Sequence, residues 1–203
     1  MIKLLNEIKN AAIKNNIPII EDETAEFLKD YIINNNVKSI LEIGSATGYS
    51  ASFMVSISDD IYVDTIEKNN DRFLEAVKNI NKVNLFFNKQ RIKIINEDAL
   101  NIDLSLLKNE YDLIFVDGPK AQNIIIVNYF EKILKNHGSF IIDNIDFHGF
   151  VINPKKTKNR NTVQLVKKIK KFIEWINEND DYHTEYFKIG DGIIVARKEV
   201  TNE

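Results

Sequence analysis

Leu41-Glu42-Ile43-Gly44-Ser45-Ala46-Thr47-Gly48-Tyr49-Ser50 decides the fold. An apolar strand runs into two glycines four residues apart, and helix-forming sequence follows at once. Glycine permits the tight turn and lets backbone N–H groups approach a ligand closely. Such turns also occur in α/β proteins that bind nothing there, so the loop takes its meaning from what surrounds it.

Outward from this loop, short apolar runs alternate with helical periods. Val37–Ile43, Ile61–Ile66, Ile92–Ile95, Tyr111–Val116 and Ser139–Ile142 are rich in β-branched residues, as strands buried on both faces should be. Helical stretches are expected near Tyr49–Ser56, Asp71–Asn81, Gln122–Lys135 and Thr162–Asn177. Two amphipathic helices, about Ile2–Lys14 and Asp22–Asn35, come first, separated by Ile17-Pro18-Ile19-Ile20, whose proline stops the first helix. Two strands, Tyr182–Lys188 and Gly192–Arg197, come last, with Gly190-Asp191-Gly192 as a tight turn between them. The pattern is α/β, a doubly wound, mostly parallel sheet ending in an antiparallel hairpin.

With 203 residues, 44% hydrophobic, the chain suits one domain, residues 1–203, with residues 1–36 covering the sheet and active site. It contains no cysteine, which removes disulfide and thiolate chemistry. The first residues carry charges at helical spacing and no apolar run is long enough to span a bilayer, so a cytoplasmic location is expected. Net charge is −3, which argues against a general polyanion binder. The enrichment in Ile, Asn and Lys reads as bias from an AT-rich coding sequence.

Cofactor contacts are expected from Glu42, Gly44, Ser45, Gly48, Tyr49 and Ser50 in and around the loop. Glu67, at the end of the second strand, is placed to hold the two hydroxyls of a ribose, or else is a surface acid. After the third strand, Asp98 and the backbone of Ala99 can meet an adenine edge. The dinucleotide fingerprint is absent, because Ala46 stands where its middle glycine would be. That favours a nucleoside without pyrophosphate, and S-adenosylmethionine is such a ligand.

The fourth strand ends in Val116-Asp117-Gly118-Pro119-Lys120 and the fifth in Ile142-Asp143-Asn144. Ligands of doubly wound sheets gather beyond the carboxyl ends of the strands. Asp117, Asp143 and Asn144 supply three hard oxygen donors, a set suited to Mg²⁺ or Mn²⁺. Either Asp alone would read as a helix N-cap; the three together read as a metal site. A cation there lowers the pKa of a phenol-like hydroxyl, ordinarily near 10. Asp117 and Lys120 are the catalytic candidates, Lys120 as the base, and Asp117 also neighbours the cofactor. Lys120 has an alternative reading as an exposed lysine at a helix start.

On these residues the chain resembles the metal-dependent, catechol-type O-methyltransferases, a group that includes caffeoyl-CoA and catechol methyltransferases. Glu42 through Ser50, Asp117 with Lys120, and Asp143-Asn144 fall in that family's order and spacing, and the resemblance runs from about Ile17 to Lys198. It implies a Rossmann-like class I methyltransferase fold with a seven-stranded sheet. A narrower likeness is to the bacterial branch similar to tRNA 5-hydroxyuridine methyltransferase. It rests on Ile17-Pro18-Ile19-Ile20, on Phe147-His148-Gly149-Phe150-Val151 after Asp143-Asn144, on Ile173-Glu174-Trp175-Ile176, and on Gly190-Asp191-Gly192-Ile193. That branch implies 5-hydroxyuridine at the tRNA wobble position as acceptor, with 5-methoxyuridine as product, and commonly a homodimer. One departure is Gly118-Pro119, where other small residues are expected; it bears on where Lys120 sits.

From Pro154 to Phe172 there are eight Lys or Arg residues and no acid. Lys155, Lys156, Lys158 and Arg160 are expected in a loop, as phosphate contacts for an anticodon loop. Lys167, Lys168, Lys170 and Lys171 lie on the next helix, where Val163, Val166, Ile169, Phe172, Ile173 and Ile176 form an apolar stripe. Those lysines are equally a solvated face. His148 can line the acceptor pocket or be an ordinary loop residue, while His137 and His183 look structural or exposed. No DNA or membrane partner is expected. The rival readings are a small catechol or phenol methyltransferase, and a nucleotide- or RNA-binding module without chemistry.

Overall fold

A computed structural model describes residues 1–153 and 157–199. They form α1 (Ile2–Lys14), α2 (Asp22–Asn34), β1 (Ser39–Ile43), α3 (Tyr49–Ser56), β2 (Tyr62–Ile66), α4 (Asn70–Phe86) and β3 (Ile92–Ile95). Then come β4 (Tyr111–Val116), α5 (Asn123–Phe130), β5 (Leu134–Ile142), α6 (Arg160–Asn177), β6 (Tyr182–Phe187) and β7 (Ile193–Lys198). The sheet order is β3-β2-β1-β4-β5-β7-β6. β1–β2, β2–β3 and β4–β5 pair in parallel, while β5–β7 and β6–β7 are antiparallel. The chain divides into two compact units, Met1–Leu107 and Lys108–Glu203.

In the first unit, Ile40, Leu41 and Ile43 of β1, Leu28 and Ile32 of α2, and Met54 of α3 are fully buried. Each such side chain contributes roughly 1.5–3 kcal/mol by leaving water. α1, α2 and α4 all pack against α3, the helix that follows the glycine loop. Asparagine ends three of these helices. Asn16, Asn36 and Asn88 have φ of 52°, 50° and 50°. In each case the next residue's N–H reaches back to the third-last helical carbonyl: Ile17 to Ala12, Val37 to Ile32 and Lys89 to Asn84. This is the Schellman closure, and asparagine tolerates its left-handed position better than other non-glycine residues. Part of the asparagine enrichment therefore does structural work that the compositional reading missed.

In the second unit the core is aromatic: Tyr111, Phe115, Phe130, Phe140 and Phe172 are fully buried. Here the structure corrects one boundary. The helix expected over Gln122–Lys135 is α-helical only to Phe130, followed by a 3₁₀ turn, Glu131–Ile133. Leu134 already pairs with Tyr111, so β5 is longer than Ser139–Ile142. The register shifts between Tyr111 and Leu113, with His137 at φ 62° inside the irregularity. The apolar run Ile124-Ile125-Ile126-Val127 continued the helical period, and that hid a bulged strand start. α6 buries Val166, Ile169, Phe172 and Ile176, the expected stripe, with Val163 and Ile173 half-buried. Among the described residues no helix is long and apolar enough to cross a membrane.

Candidate active site

In the first unit, β1 delivers Glu42 and the loop that follows. Gly44, Ala46 and Gly48 have φ of 99°, 45° and 77°. Gly48 N–H donates to the Ser45 carbonyl at 2.7 Å, and Gly44 N–H donates to Ile66 at 3.0 Å, tying the loop to β2. The Asn79 side chain, buried on α4, donates to the Thr47 carbonyl at 3.0 Å. A Cβ on Gly48 would lie 3.1 Å from Ile80 Cγ1. Gly48→Ala should therefore lower stability by about 1–2 kcal/mol from the left-handed backbone alone, read as a fall in thermal midpoint.

Glu67 is buried and braces this loop. Its Oε2 accepts from Ala46 N–H at 2.9 Å and its Oε1 from Asn69 N–H at 2.8 Å. Asn69 in turn caps α4 by accepting from Arg72 N–H. A carboxylate has about four acceptor sites, so two remain for the ribose hydroxyls expected there. Buried Glu42 accepts from Thr65 Oγ1. Two buried hydroxyls, Ser45 Oγ and Thr47 Oγ1, have no hydrogen-bond partner among the described residues. Such groups cost about 1–3 kcal/mol each until something pairs with them. A ligand rich in polar groups, such as the expected nucleoside cofactor, fits that deficit. Ser50 lies in the first turn of α3, where backbone N–H groups lack helical partners.

Tyr49 is buried, and burial pushes its phenol up despite nearby Lys9. Lys9 of α1 pairs with Asp22 of α2, so both leading helices are pinned beside the loop. Asp98 accepts from Leu100 N–H at 3.1 Å and lies 3.8 Å from Lys68, and Ala99 beside it is buried.

In the second unit, Val116 and Ile142 are register partners, so the residues following them emerge together. Asp143 N–H continues the ladder to the Val116 carbonyl at 3.1 Å. Asn144 N–H donates to Asp143 Oδ1 at 2.8 Å, and its Nδ2 donates to Asp117 Oδ1 at 3.3 Å. The three predicted metal residues are thus brought together. With Nδ2 donating to Asp117, the Asn144 amide oxygen is the atom that would complete an all-oxygen donor set. That chemistry fits Mg²⁺ or Mn²⁺. Among the described residues, no group of three or more His, Cys, Asp or Glu side chains is placed for a metal; the set here is two carboxylates and an amide. Burial pushes the Asp117 carboxyl up, opposed by the Lys120 ammonium. Asn144 has φ 60°, a left-handed conformation that asparagine tolerates better than other non-glycine residues.

Lys120 opens a 3₁₀ turn, Lys120–Gln122, capped by Pro119 and packed against α6. Gly118-Pro119 therefore starts a defined turn. Close by in sequence, Asn123 is buried and its Nδ2 has no partner among the described residues. Sequence reasoning missed Asn123, Thr65 and Asn79, because ordinary polar residues on elements carry no motif, and it missed Asn69, whose place as an N-cap before α4 was available in the sequence.

Lys155 and Lys156 lie outside the described residues. Lys158 is in the loop, but Arg160 begins α6 instead of belonging to that loop. Asn159 caps the helix there, accepting from Asn161 and Thr162 N–H, a signal available in the sequence. Lys167, Lys168 and Lys171 are exposed and Lys170 half-buried, opposite the apolar stripe. His137 and His183 are exposed.

The strand order, with a glycine loop after β1 and acids beyond β4 and β5, defines a Rossmann-like methyltransferase fold. The O-methyltransferase family model matches residues 1–199, and the chain belongs to that family. It is similar to a putative caffeoyl-CoA O-methyltransferase from Staphylococcus aureus, with 35% identity, TM-score 0.88, and 96% of this chain and 91% of that one covered. An O-methyltransferase from Bacillus cereus, solved in complex with SAH, shares 24% identity at TM-score 0.82, covering 97% and 91%. The tapetum-specific methyltransferase 1 of Arabidopsis thaliana is 23% identical over 207 residues, covering 97% of this chain and 86% of the relative.

Proposed function

We propose that this O-methyltransferase uses S-adenosylmethionine and a divalent cation to methylate a ring hydroxyl that has an oxygen neighbour. The leading acceptor is 5-hydroxyuridine at the tRNA wobble position. The observation that carries the chemistry is the convergence of Asp143, Asn144 and Asp117 beyond two paired strands. Glu67 and the Gly44–Gly48 loop would hold the nucleoside, and Asp117, Asp143 and the Asn144 amide oxygen the cation. A cation held there stabilises an acceptor oxyanion and lowers the pKa of its hydroxyl. The free-amine form of Lys120 would take the acceptor proton and become the ammonium. The acceptor oxygen then forms a bond to the methyl carbon as the sulfur–carbon bond breaks, leaving S-adenosylhomocysteine. Holding the two reactants in line would contribute alongside the ionisation.

Support for RNA is the acid-free basic run, of which Lys158 and Arg160 are described and exposed. A small catechol-type acceptor is the second reading, favoured by the 35% identity to the putative caffeoyl-CoA O-methyltransferase of Staphylococcus aureus. Both acceptors present the same vicinal oxygens. Labelled S-adenosylmethionine, supplied with tRNA bearing 5-hydroxyuridine and separately with catechol, separates them. The RNA reading expects label in tRNA as 5-methoxyuridine, with a rate that falls as salt screens the phosphate contacts. Label in catechol alone, indifferent to salt, would return the lysines to a solvated face. A homodimer gripping the anticodon loop across two subunits belongs to the same reading, and sedimentation as a monomer at working concentration would remove it.

A further inference from the structure

The hairpin turn Gly190-Asp191-Gly192 is bound to the loop that follows the metal motif, and nothing in the chemistry above uses it. Gly192 N–H closes the turn on the Ile189 carbonyl at 2.9 Å. Three backbone donors of the loop then reach the turn. Ile145 N–H donates to the Gly192 carbonyl at 2.9 Å and Asp146 N–H to the Asp191 carbonyl at 2.8 Å. His148 N–H donates to both oxygens of the Asp191 carboxylate, at 2.6 and 2.8 Å. The Tyr186 hydroxyl of β6 adds a bond to Asp146 Oδ2 at 2.7 Å.

The loop needs this support. Asn144, Phe147 and His148 have φ of 60°, 45° and 56°, and Gly149 follows at 74°. Non-glycine residues in the left-handed region persist only where their surroundings over-determine them. Asp191 supplies a charge-assisted acceptor in the middle of the run. Its carboxylate is mostly buried, whereas the His148 side chain is exposed. The short contacts are to the backbone N–H of His148; its exposed imidazole stands further off, with Nδ1 3.6 Å from Asp191 Oδ2. Gly192 is required for the same contact: a Cβ there would stand 2.8 Å from Asp146 Cγ and 3.0 Å from Asp146 N.

We propose that Asp191 is a positioning residue, which holds the Ile145–Gly149 loop in its left-handed turn and thereby fixes the Asn144 amide beside Asp117 and Asp143. The effect on metal rests on reading those three residues as the cation site; the effect on the loop does not. Outer partners that orient a ligand are worth about 10–100-fold in metal affinity.

Hydrogen–deuterium exchange of the peptide spanning residues 143–153, without metal, tests the hold on the loop. Mn²⁺ titration followed by electron paramagnetic resonance tests its consequence. Asp191→Ala should speed exchange of that peptide by about 10-fold or more, the equivalent of one lost charged hydrogen bond. It should also weaken Mn²⁺ binding by about 10-fold or more, leaving exchange in β4 and β5 unchanged. Asp191→Asn keeps an acceptor and should restore most of both properties. His148→Ala keeps the backbone donor and should match wild type. Unchanged exchange in Asp191→Ala, or equal acceleration throughout β4 and β5, would overturn the proposal. Failure of the wild-type protein to bind Mn²⁺ would instead sink the cation reading, while the exchange result still decides the role of Asp191 in the loop.

Discussion

Asp143→Ala should lower methyl transfer by about 10³-fold or more while leaving S-adenosylhomocysteine binding within about twofold, the former figure following from a cation's several kcal/mol of charge stabilisation. Asp143 is buried and accepts from the Asn144 N–H at 2.8 Å. The alanine variant therefore removes a proposed cation ligand and frees a backbone donor together. Asp143→Asn separates these effects. It keeps the volume and an oxygen acceptor for Asn144 but removes the charge that a hard cation prefers. The asparagine variant should melt close to wild type and still lose most activity. Isothermal titration with S-adenosylhomocysteine, alongside initial rates, checks both. Parallel losses of nucleoside binding and activity would show that Asp143 acts only on stability.

Glu67→Ala should have the second-largest effect, and on the nucleoside step. Each carboxylate oxygen holds one backbone N–H, one from Ala46 in the glycine loop and one from Asn69 at the start of α4. Hydrogen bonds to a charged group contribute about 1.5–3 kcal/mol each. Losing both, with any ribose contact, should raise the S-adenosylhomocysteine dissociation constant by about 10²-fold or more. Glu67→Gln retains one acceptor oxygen and should fall between the two. Binding in Glu67→Ala equal to wild type would mean that the carboxylate only terminates β2.

These two acids show what the sequence makes legible. Both sit at strand ends, where topology alone forces residues towards the ligand edge, so their placement follows from pattern and spacing. β3 and β4 emerge with their expected bounds, because short β-branched runs between polar turns leave little freedom. The end of α5 did not. Its apolar run fits a helix as well as a buried strand, and only pairing of Leu134 with Tyr111 decides between them. The roles of Asn79 and Thr65 were equally hidden, since their partners lie 32 and 23 residues away and no local pattern marks them. Asp191 is intermediate: its turn was plain from the glycines, but its contact with His148, 43 residues away, belongs to the folded state alone.

The proposed chemistry requires a bound divalent cation for methyl transfer. The direct measurement follows the release of S-adenosylhomocysteine with 5-hydroxyuridine-bearing tRNA and catechol supplied together, first with Mg²⁺, then with excess chelator, then with Mn²⁺ restored. Methylation that stops on chelation and returns with Mn²⁺ is the predicted result. Methylation that continues undiminished in chelator would contradict it and leave Asp117, Asp143 and Asn144 as a structural cluster.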